Sequence, residues 1–166
     1  MISMIAAYAR GRVIGKDNTV PWRVPDDARY FQQTTRGHIV VMGRKTFASI
    51  ANKPLPQRRN IVLTSSSTFP HAGVEVFHSV EGVLALDTAE NEEIFIIGGQ
   101  HIYELFLDVA KRLYITEIEL TVEGDTFFPA WKPQEFTLLS ARPGQIDSEK
   151  TPAHTFFVYE RIPAHQ

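Results

Sequence analysis

The chain contains no cysteine. Disulfides, thiolate nucleophiles and cysteine-ligated zinc are therefore excluded. No apolar run approaches the roughly 20 residues that span a bilayer. The first residues, Met1 to Tyr8, lack the basic segment of a signal peptide and read as a buried strand. The expectation is a cytoplasmic protein with no membrane partner. Neither the G-x-G-x-x-G dinucleotide fingerprint nor a complete P-loop occurs, and H-E-x-x-H, G-x-S-x-G and S-x-x-K are missing too. Six histidines (His38, His71, His78, His101, His154 and His165) show no ligand-like spacing, so no metal site is expected. There are no repeats, linkers or low-complexity tracts.

The most telling absence is of acidic residues between Ala28 and Val74. That segment holds Arg29, Arg36, Arg44, Lys45, Lys53, Arg58 and Arg59. Net charge is −2, so bulk attraction to nucleic acid is not expected. A local run of cations is often only a solvated surface; here it also suits one or two sites for anionic small molecules.

The 166 residues, 43% hydrophobic and 22% charged, suit one domain over residues 1–166 with a full core. Buried strands are expected at 2–9, 38–42, 60–63 and 93–97, with a short strand at 74–77 and an alternating strand at 113–120. Helices are expected at 25–35, 44–51, 79–86 (capped by Ser79) and 100–109. Residues 121–133 read as a loop, and 136–141 with 155–161 as a closing antiparallel pair. This alternation gives an α/β fold: a mostly parallel sheet of about eight strands, an antiparallel C-terminal strand and about four flanking helices. Ligands bind at the carboxyl edge of such sheets. Ala7 to Ala9, Gly43 to Thr46, Thr64 to Ser66 and Gly98 to Tyr103 fall there.

Gly43-Arg44-Lys45-Thr46 and Gly98-Gly99-Gln100-His101-Ile102-Tyr103 are strand-to-helix junctions whose glycines let an anion approach the backbone. Each alone reads equally as a helix start or tight turn. Two on one edge, with Thr64, Ser65 and the basic segment, favour one extended phosphorylated ligand. Arg58 follows the rigid Pro54-Leu55-Pro56 turn, beside Ile50 and Leu55, and suits the carboxylate of an apolar ligand; Arg59 reads as a surface cation. Ahead of these lies a loop from Ile14 to Val24, then a helix opening on Pro25, Asp26 and Asp27. Either aspartate satisfies the helix dipole. Asp27 shares a face with Phe31, beside Ala28, which favours it as the functional carboxylate and leaves Asp26 as a helix-start charge.

Together these residues resemble the dihydrofolate reductase family, in order and along essentially the whole chain. The resemblance rests on Ile5-Ala6-Ala7, Val13-Ile14-Gly15, Pro21-Trp22, Pro25 to Asp27, Phe31 and Met42 to Thr46. It continues through Ser49-Ile50, Pro54 to Pro56, Arg58, Asn60, Ile97 to Tyr103, Thr116, Glu123 to Thr126 and Phe128-Pro129. It implies NADPH-dependent reduction of 7,8-dihydrofolate to tetrahydrofolate in one-carbon metabolism, by hydride transfer to pterin C6 with protonation of N5. It implies antifolate binding as well, and a monomer is the default state. Asp27 would anchor the pterin, with Trp22 and Thr116 linked to it through water. Ile5, Ala6, Ala28, Phe31, Ile50, Leu55 and Ile97 would line the substrate pocket, and Arg58 would take the glutamate carboxylate.

On the cofactor side the resemblance implies Ala7, Ile14, Gly15, Asn18, Val20, Ile97, Tyr103 and Thr126 near the nicotinamide and lid. Gly43, Thr46, Gly98, Gly99, Gln100 and Ile102 would serve the pyrophosphate. Arg44, Lys45, Leu63, Thr64, Ser65, His78 and His101 would serve the adenosine 2′-phosphate end. Residues 9–24 would close as a lid, supported by Gly124-Asp125. Val20, Ala28, His78 and His101 depart from common bacterial forms. The two histidines imply NADPH affinity that weakens as pH rises through the histidine range, roughly pH 6 to 7.5. The competing readings are a pyrimidine reductase of riboflavin synthesis on a similar fold, and a non-catalytic NADPH- or folate-binding protein.

Overall fold

The computed structural model describes residues 1–67, 69, 72–88 and 92–163. Thr68 of the hydroxyl run after the third expected strand, and His71 and His165, lie outside the described residues. The elements run β1 (Ile2–Tyr8), β2 (Val13–Gly15), α1 (Pro25–Thr35), β3 (Ile39–Gly43), α2 (Arg44–Ser49), β4 (Arg59–Leu63) and β5 (Glu75–Phe77). They continue as α3 (Val80–Leu84), β6 (Ile94–Gly98), α4 (Gln100–Phe106), β7 (Arg112–Ile118), β8 (Thr126–Phe127), β9 (Phe136–Pro143) and β10 (His154–Arg161). Among the described residues no helix is long and apolar enough to cross a membrane.

Eight strands form one sheet in the order β5-β4-β3-β6-β1-β7-β10-β9. Every neighbour is parallel from β5 through β7, and β10 runs against both β7 and β9. This is the architecture expected from strands alternating with helices. The central strands are apolar throughout because both faces of the sheet are covered. Alternation along β1 divides them: Met4, Ala6 and Tyr8 join the core under α3 and α4, and Ile5 joins the core of Val40, Met42, Phe47, Val62 and Phe95 on the other face.

α1 opens on Pro25, whose missing N–H costs nothing in a first turn, with Asp26 and Asp27 at its positive end. It ends before Gly37 at φ 81. α2 stops at Ser49, two residues earlier than expected, because Ala51 and Asn52 adopt φ 61 and 53. The expected helix 100–109 tightens into a 3₁₀ turn at Leu107–Val109. There Leu105 and Val109 stand 41% and 40% exposed, so only Ile102 and Phe106 of the apolar spacing reach the core. The segment 121–133 is not a plain loop: β8 within it pairs antiparallel with β2 to make a second, two-stranded sheet.

Candidate active site

α1 lies against β7 and β10, and its two aspartates meet those strands separately. Thr116 on β7 donates to Asp27 Oδ1 at 2.7 Å. The contact is direct, where a water-linked arrangement was expected. Burial pushes the Asp27 carboxyl above its ordinary value; the Thr116 hydrogen bond and the charge of His154 oppose this, and Asp26 adds to it. Trp22 is half-buried three residues before α1.

Asp26 stands in the first turn of α1, as expected of a helix-start charge, but it is also buried and held by distant partners. It is 9% exposed. Its Oδ2 lies 2.8 Å from His154 Nε2 and accepts the Gln145 N–H at 2.8 Å. Arg29 stands 3.6 Å away and pairs more closely with Asp147, at 3.1 Å. Burial pushes the Asp26 carboxyl up, but these donors outweigh it and leave it below the usual carboxylate range. The partner residues are 119 and 128 positions away in the chain, so no local pattern marks them.

Beside Asp27, Phe31, Ile50, Leu55 and Ile97 pack on the core that contains Ile5. The expected apolar substrate residues are thus one cluster, with two exceptions. The Ala6 side chain belongs to the opposite core, leaving it only backbone to offer. Ala28 is exposed at the rim. Arg58 is held by three acceptors: Pro56 O for Nε at 2.9 Å, Thr35 Oγ1 for Nη1 at 3.0 Å and Gln32 Oε1 for Nη2 at 2.7 Å. Partial burial and the neighbouring Arg36 lower its proton affinity. Arg59 instead is the surface cation expected of it, and it forks onto Glu75 at 2.6 and 2.8 Å. Asn60, 4% exposed, holds the turn that aims Arg58. Its side chain accepts from Leu55 N–H and donates to Leu55 O and Arg58 O, all at 2.9 Å. Sequence reasoning gave Asn60 no role; a polar residue opening an otherwise apolar strand was the available signal.

The two glycine junctions meet because β3 pairs with β6. A Cβ on Gly43 would stand 3.0 Å from Ile102 Cγ1, and one on Gly99 would stand 3.5 Å from Thr46 Oγ1. Gly98 has φ +125 and lies under the Tyr103 ring, whose hydroxyl donates to Ile5 O at 2.7 Å. Arg44 and Lys45 are exposed at the start of α2, and His101 is exposed in the first turn of α4. At the end of β4, Leu63 is buried in the core, Ser65 is exposed and Thr64 O accepts from His78 Nδ1 at 2.8 Å. Hydroxyls, cations and open backbone therefore share the carboxyl edge of β3, β4 and β6.

Residues 13–20, which follow the carboxyl end of β1, form a hairpin. Lys16 and Thr19 exchange backbone bonds at 2.9 Å around Asp17 and Asn18, both at positive φ. Asp125 fastens the hairpin: its Oδ2 accepts Asp17 N–H at 2.9 Å and its own N–H donates to Gly15 O at 3.0 Å. Gly15 and Gly124 are required here. A Cβ on the first would reach Thr126 Oγ1 at 2.7 Å, and one on the second Val13 Cγ1 at 2.2 Å. Phe127 N–H donates to Gln100 Oε1 at 2.8 Å, joining the assembly to α4. Ile14 packs on the central core, while Val20 remains 58% exposed.

A sequence model described as Dihydrofolate reductase matches residues 1–161. The dihydrofolate reductase of Staphylococcus haemolyticus is 44% identical over 162 residues, covering 97% of this chain and 96% of that protein. That of Staphylococcus aureus (strain Mu50) is 43% identical over 155 residues, covering 93% and 94%. Among solved structures, dihydrofolate reductase from Enterococcus faecalis, complexed with NADP(H) and RAB-propyl, superposes with a TM-score of 0.90 at 37% identity. That match covers 97% of this chain and 96% of that one.

Proposed function

The chain belongs to the dihydrofolate reductase family, and from that premise we infer that it catalyses NADPH-dependent reduction of 7,8-dihydrofolate to tetrahydrofolate. The observation that supports this most is Asp27, a carboxylate beside an apolar cluster, with burial raising its proton affinity and one hydroxyl donor. Such a group can hold the amino-pyrimidine edge of a pterin, and its proton affinity exceeds that of an ordinary carboxylate.

The residues present fit NADPH. Gly43 leaves room where a Cβ would press on Ile102 at 3.0 Å, Gly98 takes φ +125, and Gly99 adds no side chain beside Thr46. Thr46, Thr64, Ser65, Arg44, Lys45, His78 and His101 supply donors and positive charge along the same edge. When bound, NADPH supplies the hydride that reaches pterin C6. The chain's own part is positioning and electrostatics. Asp27 binds pterin N3 and the 2-amino group and raises the proton affinity of the ring at N5. Thr116 orients Asp27. Phe31, Ile50 and Leu55 hold the benzoyl body and Arg58 takes the glutamate carboxylate. The hairpin fastened by Asp125 covers the nicotinamide side and excludes water.

We further propose a single catalytic domain over residues 1–166, acting as a cytoplasmic monomer on small molecules, including antifolates as inhibitors. The test is loss of NADPH absorbance with dihydrofolate, for the intact chain and for Asp27→Asn. The intact chain turns over, and the variant loses about 100-fold or more at neutral pH while recovering part at low pH, where the substrate arrives protonated. No turnover by the intact chain refutes the assignment. Turnover of a pyrimidine and not of dihydrofolate favours the riboflavin-type reductase; binding of NADPH or folate without turnover favours a non-catalytic protein.

A further inference from the structure

We propose that His154, held against Asp26, is a positioning residue for Asp27: the pair pins the first turn of α1 to β10 and balances the charge beside the pterin-binding carboxylate. The proposal rests on the reading of Asp27 given above. The His154 side chain has no exposed surface. Its Nδ1 lies 2.9 Å from Pro152 O. A carbonyl only accepts, so Nδ1 carries a proton. Its Nε2 faces Asp26 Oδ2 at 2.8 Å, and a second proton lies between them. The imidazole ring fits only because position 144 is glycine, where a Cβ would stand 2.0 Å from Nε2. The same Asp26 oxygen accepts the Gln145 N–H. β10, the loop after β9 and α1 therefore converge on one carboxylate oxygen.

The strand register makes this matter for Asp27. Phe156 pairs with Thr116 and His154 with Ile118. By the two-residue period, His154 lies on the same face as Thr116. Thr116 reaches Asp27 and His154 reaches Asp26, so adjacent strands grip adjacent residues of the helix. α1 cannot turn or slide without breaking both contacts. Several charged or titratable groups face the pair. α1 contributes Asp26, Asp27, Arg29 and Tyr30; the β9–β10 hairpin contributes Asp147, beside Arg29, and Arg142, over the Phe156 ring at 4.6 Å. On β7, Glu117 is exposed on the face opposite Thr116.

In His154→Gln an amide can still donate to Asp26, but the pair has lost one proton and carries a net negative charge. Asp26 is then an uncompensated anion next to Asp27, which holds its proton more tightly. The experiment is single-turnover NADPH oxidation by dihydrofolate across pH for the wild type, His154→Gln, Asp26→Asn, the double variant and Asp27→Asn. The midpoint of the rate profile rises by about half a unit to one unit in His154→Gln. It returns to within about 0.2 unit of the wild type in the double variant, where the lone charge is removed. A midpoint unmoved in His154→Gln, or not restored in the double variant, overturns the proposal even if the variant unfolds at lower temperature. If His154→Gln does not fold, Asp26→Asn decides: its midpoint stays at or below the wild-type value, and a rise overturns the proposal. Loss of pH dependence in the wild type, or full activity in Asp27→Asn, instead defeats the reading of Asp27 itself.

Discussion

Asp27→Asn is expected to slow the enzyme and, above mildly acidic pH, to stabilise it. Burial raises the Asp27 proton affinity in the folded state above the unfolded value of 3.8. Below that value both states hold the proton, so charge contributes nothing to the difference between the two proteins. As pH rises from 3.8 through the raised folded value, the folded wild type binds more protons than the unfolded chain and loses stability. Above the folded value the loss is complete and constant. The variant carries no charge and has no such slope, and Thr116 can donate to the asparagine oxygen as it does to Oδ1.

The carboxylate has one hydroxyl donor and no ion pair among the described residues, so most of its desolvation is uncompensated. The expected gain at about pH 7.5 is on the order of 1 kcal/mol, the low end of the usual cost of burying a polar group short of hydrogen-bond partners. For a chain of this length that is about 2–4 °C in Tm. Urea midpoints for both proteins across about pH 4 to 8 measure the difference directly. Glu117, an exposed residue whose carboxyl is raised by partial desolvation, is present in both and cancels. Asp26 works the other way: its stabilisation is present above 3.8 and is lost as pH falls through its lowered folded value, outside the window of interest. A variant less stable than the wild type at pH 7.5, or a gap that does not change with pH, refutes this account of Asp27.

Three other expectations concern the rest of the site. Arg58→Ala removes a guanidinium already oriented by Pro56, Thr35 and Gln32. The KM for dihydrofolate rises about 10–100-fold with little change in kcat, and a KM within twofold of the wild type removes Arg58 from substrate binding. Gly98→Ala places a Cβ at φ +125, 3.4 Å from the Tyr103 ring. Strain of about 1–3 kcal/mol weakens NADPH binding about fivefold or more by fluorescence titration, and an unchanged Kd contradicts the cradle. Asp125→Ala takes away the acceptor of Asp17 N–H. Limited proteolysis within residues 13–20 speeds up several-fold while Tm moves by about 2 °C or less; unchanged cleavage means that this contact does not hold the hairpin.

Features with short-range signals were legible in the chain. Apolar strands closed by glycine at 43 and 98 predicted the layered sheet and the meeting of two junctions, which the Met42 to Gly98 pairing realises. The Pro25 start and the four-residue step to Phe31 gave α1 with its boundaries intact. What was not legible depends on distant partners. β2 and β8 have three and two residues, too few for any periodicity, and exist only through pairing across the chain. Ala6 was assigned to the substrate pocket with Ile5 on the family resemblance, but a strand sends neighbours to opposite faces. Asp26 was read from its place at a helix start, and nothing nearby in the chain announces His154.

The two adjacent aspartates also give a physical criterion that separates a structural acid from a functional one. Both sit in the first turn of α1, so the helix dipole treats them almost alike. Asp26 has an imidazole, a backbone N–H and a nearby guanidinium, and its carboxyl falls below the ordinary range. Asp27 has one neutral hydroxyl, and its carboxyl rises. An acid fully supplied with donors is finished: its charge is balanced within the fold and a ligand would have to displace a partner. An acid left short of donors stores the desolvation cost until a ligand edge with N–H groups arrives. A pterin offers such an edge at N3 and its 2-amino group, so binding can recover free energy that folding left unspent. The shortage of partners at Asp27, set beside their abundance at Asp26, is the physical ground on which we propose the catalytic role for Asp27 within this pair.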